Sequence, residues 1–171
     1  INAASLGTAI AVTAGIYNTG GATTSLNCDY DTVTVMSHNA TGLGIYNANT
    51  TTIPTASFSN NKVSVRVSST GSGSVTGIAN YTGAVTTLTV NNNEIDANTY
   101  SGGGNVVGII DTAGGVVTNN MNYNTITATS ATGSVYGIYN AFNAAIANSS
   151  TSNNTIDISV SGATSNRVAY V

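Results

Sequence analysis

An all-β solenoid is what this sequence predicts: one chain wound into a single-stranded parallel β-helix. The reading gives about 30 residues and three strands per rung, five full turns and a partial sixth, as a single β-solenoid domain over residues 1–171. Three observations predict it. The tetrapeptide Gly-Ile-Tyr-Asn stands at Gly15–Asn18, Gly44–Asn47 and Gly137–Asn140, with looser copies at Gly77–Asn80 and Gly108–Asp111. A second marker, an Asn or Asp two residues before a β-branched apolar residue, recurs in the same phase at Asp31, Asn61, Asn93, Asn124 and Asn154. The apolar residues are mostly Val, Ile, Ala and Tyr, with a single Pro and few Lys, Glu or Leu, a balance that favours strand over helix.

The elements follow in chain order. Counting one period back from Val33 places the first strand near Ile1 to Leu6. The third rung is the clearest. Val63–Val67 (VSVRV) alternates apolar and polar as a half-buried strand does, and the Gly- and Ser-rich stretch after it makes a turn. Val75–Asn80 is the second strand, Tyr81-Thr82-Gly83 the next turn, Thr87–Val90 the third strand, and Asn91–Asn93 a tight corner. No stretch has the ten-residue amphipathic pattern of a helical repeat, so no α-helix longer than two turns is expected. Counting forward from Gly137 places Arg167–Tyr170 at the Gly-Ile-Tyr-Asn position, so the chain is expected to stop inside a rung.

Stacking turns each repeated position into a column, because rungs of a sheet lie about 4.8 Å apart. Ile16, Ile45, Ile78, Ile109 and Ile138 are expected to form an interior apolar column. Asp31, Asn61, Asn93, Asn124 and Asn154 are expected to line one corner as a hydrogen-bonded ladder, and Asn18, Asn47, Asn80, Asp111 and Asn140 a second. The Gly before each Ile allows a bulge or a close backbone approach.

Composition limits function. Charged residues are 5% of the chain, and the net charge of −3 offers no basic surface for nucleic acid. No apolar run has the length of a membrane span. A chain starting at Ile1 reads as a processed product, and the single Cys28 excludes an intrachain disulfide.

The corners Asn60-Asn61-Lys62-Val63, Asn92-Asn93-Glu94-Ile95 and Asn153-Asn154-Thr155-Ile156 resemble those of right-handed parallel β-helix proteins. That group includes pectate-lyase-like enzymes, phage tailspikes and passengers of autotransporter adhesins. The resemblance covers essentially the whole chain and implies architecture, since the fold hosts many activities.

Enzymes of that fold need clustered charges, and the motifs of polygalacturonases, including paired Asp residues and a Gly-His-Gly, are absent. Asp96 and Asp157 share an outward column with Thr34, Ser64 and Thr127, roughly 10 Å apart, a spacing open to an inverting carboxylate pair but without a supporting motif. Lys62 and Glu94 are expected to pair across one rung, whereas Arg66 has no acid assigned beside it. Asp29 and Asp31 are too few oxygen ligands for calcium, His38 reads as a turn residue, and Cys28 aligns with Phe58, Val90 and Met121 as a buried small hydrophobe. No catalytic residue, metal or cofactor is therefore assigned.

Of the glycosylation sequons, Asn39, Asn49 and Asn148 lie in loops and are expected to be open, whereas Asn80 and Asn153 fall in proposed ladders. The reading is a non-enzymatic extracellular or cell-surface structural protein, secreted with a processed N-terminus. It is taken as a subunit of a self-assembling filament or adhesive fibre, a homopolymer stacked end to end through Ile1, Leu6, Val168 and Val171. The alternatives are a glycan- or ice-binding module carrying Tyr17, Tyr46 and Tyr139, a fragment of a longer adhesin, and last a polysaccharide lyase or hydrolase. A flat ice-binding face needs Thr-x-Thr in nearly every rung, and only Thr32/Thr34 and Thr125/Thr127 fit.

Overall fold

The computed structural model describes residues 1–5, 12–20, 24–38, 40–68, 73–81, 84–112, 115–141, 148–162 and 166–170. Every regular element among them is a strand. The first rung holds β1 (Asn2–Ser5), β2 (Val12–Asn18) and β3 (Ser25–Asn27). The second holds β4 (Thr32–Ser37), β5 (Thr41–Asn47) and β6 (Thr52–Ser57), and the third β7 (Lys62–Val67), β8 (Val75–Asn80) and β9 (Ala84–Thr89). The fourth and fifth add β10 (Glu94–Thr99), β11 (Val106–Asp111), β12 (Val116–Asn120), β13 (Thr125–Ser130), β14 (Val135–Asn140) and β15 (Asn148–Ser150). A sixth begins with β16 (Thr155–Val160) and β17 (Arg167–Tyr170). The third strand of the third rung starts earlier than expected, at Ala84, because Val85 packs inward beside Ile53 and Val116.

Three parallel sheets result. Sheet A stacks β1, β4, β7, β10, β13 and β16; sheet B stacks β2, β5, β8, β11, β14 and β17; sheet C stacks β3, β6, β9, β12 and β15. The register pairs like with like: Val33, Val63, Ile95, Ile126 and Ile156 form one sheet A column. Ile16, Ile45, Ile78, Ile109 and Ile138 form the sheet B column. In the inner rungs these side chains are buried, each worth about 1.5–3 kcal/mol of transfer from water. Ile16, at the open first rung, is only partly buried.

The glycine of the tetrapeptide is explained by space. Gly77 and the following Ile78 both face the interior, so the inward-outward alternation is interrupted here while the register between rungs stays one residue to one. A Cβ on Gly77 would sit 2.5 Å from Ile95 Cγ2 and 2.6 Å from the carbonyl oxygen of Gly108 on the next rung. The same close approach recurs at Gly137, where a Cβ would lie 2.5 Å from Ala169 O and 2.5 Å from Ile156 Cγ2. Sheets A and B can close on each other at this height only where no side chain intervenes.

One register expectation is corrected. Arg167 pairs with Val135 and Tyr170 with Ile138, so Ala169, not Arg167, takes the glycine position. The connection from Val160 to Arg167 is two residues longer than its counterpart from Ser130 to Val135, and a count of one mean period cannot register that.

Candidate functional site

The corner between sheets C and A is built from three adjacent residues per rung. The middle one adopts a left-handed backbone: Tyr30 (φ 63°), Asn60 (59°), Asn92 (56°), Tyr123 (59°) and Asn153 (56°). Asn takes this conformation readily, because its short amide bonds locally, whereas a tyrosine there is unusual. Asn153 is therefore the exposed bend residue, not the ladder residue expected.

The residue after the bend forms the first ladder. Asn61 N and Nδ2 donate to Asn93 Oδ1 at 2.9 and 3.1 Å, and Nδ2 also donates to Cys28 O at 2.7 Å. Asn93 does the same to Asn124 Oδ1 and Phe58 O, and Asn124 to Asn154 Oδ1 and Val90 O. Asp31 enters through its backbone, N to Asn61 Oδ1 at 2.8 Å. The residue before the bend forms another ladder that sequence reasoning missed. Its bonds run the opposite way: Ser59 N donates to Asp29 Oδ1, Asn122 N to Asn91 Oδ1, and Ser152 N to Asn122 Oδ1. Its mixed Asp, Ser and Asn composition hid it: Asp and Asn side-chain oxygens accept, while the Ser residues enter through their backbone N–H.

At the other corner, Asn18, Asn47 and Asn80 each donate Nδ2 to the Oδ1 of the next rung, at 2.8, 2.8 and 2.9 Å, ending on Asp111. The expected step to Asn140 is absent from this series. A carboxylate has no N–H to pass on, so the buried Asn140 Oδ1 has no hydrogen-bond partner, while its Nδ2 donates to Tyr170 Oη at 3.2 Å.

Four of the nine charged side chains form two ion pairs. Lys62 Nζ lies 2.9 Å from Glu94 Oε1. Arg66, expected to lack an acid, lies 3.0 Å from Asp96 Oδ2. Arg66 is in register with Asn98 and Asp96 with Ser64, so this pair is diagonal and invisible to same-column reasoning. Both pairs are exposed and worth about 0–1 kcal/mol each. Asp96 also accepts from Asn98, so the carboxylate considered with Asp157 is already engaged. His38 Nδ1 lies 3.1 Å from Ser68 Oγ at the surface. Cys28 packs with Phe58, Val90 and Met121 in the core. Burial, then the Asp31 and Asp29 carboxylates, push its thiol up to about 11.

Sheet B carries an outer face of different character. One outward column reads Tyr17, Tyr46, Ala79, Ile110, Tyr139, and another Ala14, Leu43, Thr76, Val107, Tyr136, Val168. Tyr17 and Tyr46 stack with centroids 5.0 Å apart and planes 1° from parallel. Tyr81 folds over from the corner onto Tyr46 at 5.2 Å and 29°. Tyr136 and Tyr139 meet edge to face at 5.4 Å and 73°. Between these groups lies a groove of 330 Å³ lined by Ser74, Thr76, Tyr81, Asn105, Val107 and Ile110 among others. Burial, and then electrostatic repulsion from neighbouring tyrosine hydroxyls, raises Tyr46 and Tyr81 above the ordinary tyrosine value.

The remaining expected sites fall as follows. Ile1 is exposed and Val168 half-buried on the outer column of the sixth rung. Leu6, Val171 and Asn39 lie outside the described residues. Asn148 is exposed, whereas Asn49 is fully buried, its Oδ1 accepting from Thr51 N and Oγ1, which corrects the expectation of an open sequon. No helix of the described residues is long and apolar enough to cross a membrane. No family model, curated protein or solved structure matches the chain.

Proposed function

We propose that this chain is a non-enzymatic extracellular structural protein, a β-solenoid unit whose copies stack end to end into a surface filament or adhesive fibre. One observation carries the reading. Core columns closed in the inner rungs stand open at both ends of the described stack. Ile45, Ile78, Ile109 and Ile138 are at most 1% exposed, while Ile16 at one end and Ile156 and Ile158 at the other remain partly uncovered. Above and below them the sheets end in strand edges, which template further pairing. A second copy seated in register closes the columns, and because the contact is head to tail it propagates. Charge is sparse, and four of the nine charged side chains, Lys62, Glu94, Arg66 and Asp96, are occupied in surface pairs, which supports a scaffold role.

The test is the state of the purified chain, by sedimentation and electron microscopy over a range of concentration. Filaments are expected, and Ala3→Lys with Tyr170→Lys, which put charge on inward positions of the two end rungs, should return monomers. A native chain that stays monodisperse and monomeric when concentrated removes the filament reading. The open rungs are then covered by further rungs of the same polypeptide, as in an adhesin fragment.

A further inference from the structure

The groove on sheet B is a built feature. Outward positions of sheet A carry Thr32, Lys62, Glu94 and Thr125, as a wetted surface should, whereas those of sheet B carry rings and aliphatic side chains. The tyrosine column is interrupted at two successive rungs, by Ala79 and Ile110, and the groove lies at that interruption. Three rung spacings separate Tyr46 from Tyr139, roughly 14 Å. With Tyr81 stacked 5.2 Å from Tyr46, roughly 9 Å is left along the stack between Tyr81 and Tyr139, where Ile110 forms the floor and a ring lying over it would be about 4.5 Å from each tyrosine. Tyr81 gives one face to Tyr46 and lines the groove together with Tyr139.

We propose that this groove binds a neutral sugar, with one pyranose ring inserted between Tyr81 and Tyr139 and the oligosaccharide running over Val107 and Ile110. The chemistry of the lining selects the ligand. Its tyrosine walls and the Val107 and Ile110 floor match the C–H face of a pyranose. Ser74, Thr76 and Asn105, with the tyrosine hydroxyls, offer donors and acceptors to sugar hydroxyls. None of the nine lining residues is charged, which matches a neutral sugar better than a uronate or a sialylated chain. The volume of 330 Å³ falls within the range of about 300–1,000 Å³ common for small-molecule sites. The site is lateral, so it stands apart from end-to-end stacking.

The chain has no tryptophan, so intrinsic fluorescence reports tyrosine alone. The experiment titrates that emission with maltohexaose, cellohexaose, mannohexaose and chitohexaose, with polygalacturonate and a phenylalanine-rich peptide as comparisons. At least one neutral hexasaccharide should bind. Its Kd should rise at least about tenfold in Tyr81→Ala and in Tyr139→Ala, the loss of roughly one ring contact. Ile110→Tyr puts a ring in the gap between Tyr81 and Tyr139, keeps every native ring and should abolish binding, with circular dichroism checking that it is folded. Tyr30→Ala on another face and Tyr170→Lys at the end should bind as the native chain does. The proposal is overturned if no neutral hexasaccharide binds, if polygalacturonate or the aromatic peptide binds in preference, or if folded Ile110→Tyr retains full affinity.

Discussion

Replacing Gly77 with alanine tests whether close approach, and not conformational freedom, places glycine in the tetrapeptide. No glycine among the described residues has a positive φ, and in a strand interior alanine is ordinarily the better residue by about 0.5–1 kcal/mol. Space predicts the opposite sign. The added Cβ would sit 2.5 Å from Ile95 Cγ2 and 2.6 Å from Gly108 O, where ordinary contact begins at 3.4 Å, so each neighbour must retreat by nearly 1 Å. Ile95 is locked in the core column, and Gly108 belongs to the rung bonded beside β8. Overpacking of this kind costs about 1–3 kcal/mol, and weakening one or two bonds between β8 and β11 adds about 0.5–1.5 kcal/mol each. The expected loss is about 2–5 kcal/mol, or roughly 5–15 °C in Tm for a domain of this size. Urea unfolding followed by circular dichroism measures it. The control is Gly115→Ala, whose Cβ would meet nothing closer among the described residues than Ala84 Cβ at 3.9 Å and which should be neutral or slightly stabilising. A Gly77→Ala variant as stable as the native chain, or a Gly115→Ala variant equally damaged, refutes the reasoning.

Four further outcomes are expected. Asp111→Asn should stabilise by about 1–2 kcal/mol, because the new amide can donate to the unpartnered Asn140 Oδ1; a lower melting temperature would contradict this. Asn119 is fully buried between Leu88 and Ser149 with both amide atoms unbonded, so Asn119→Leu should gain about 1–3 kcal/mol in urea titration. Tyr30→Asn should gain about 1 kcal/mol, since Tyr30 is 81% exposed and loses little packing while its left-handed backbone suits Asn; no change in Tm would show that the bend carries no strain. Cys28 titrates near 9.0 when unfolded and about 11 when folded, so its contribution is full below pH 9, where the buried thiol is neutral, and is lost as pH rises through 11. Melting temperature should therefore fall in that alkaline window, less so in Cys28→Ser, and equal curves for the two proteins would count against the assignment.

Much of the architecture was legible because stacking writes register into sequence: a residue that must sit on its own copy one rung away has to recur. That made the Ile column, the Asn61–Asn93–Asn124 ladder and the Lys62–Glu94 pair readable from spacing alone. Where a position tolerates several residue types, spacing carries no signal, and the ladder through Asp29, Asn91 and Asn122 went unseen. The break at Asp111 was missed for the reverse reason: Asp matches the Asn pattern in shape and fails it in donors.

By itself, then, the sequence determined the period, the three strands per rung and which residues face the core, since each repeats along the chain. Tertiary structure decided what depends on direction across rungs. It set which corner residue takes the left-handed bend, the diagonal reach of Arg66 to Asp96, and the two-residue shift that puts Ala169 at the glycine position. It also brought Tyr81 from a turn onto Tyr46 and so opened the groove toward Tyr139. Those contacts join residues at unlike positions of different rungs, and no repeat records them.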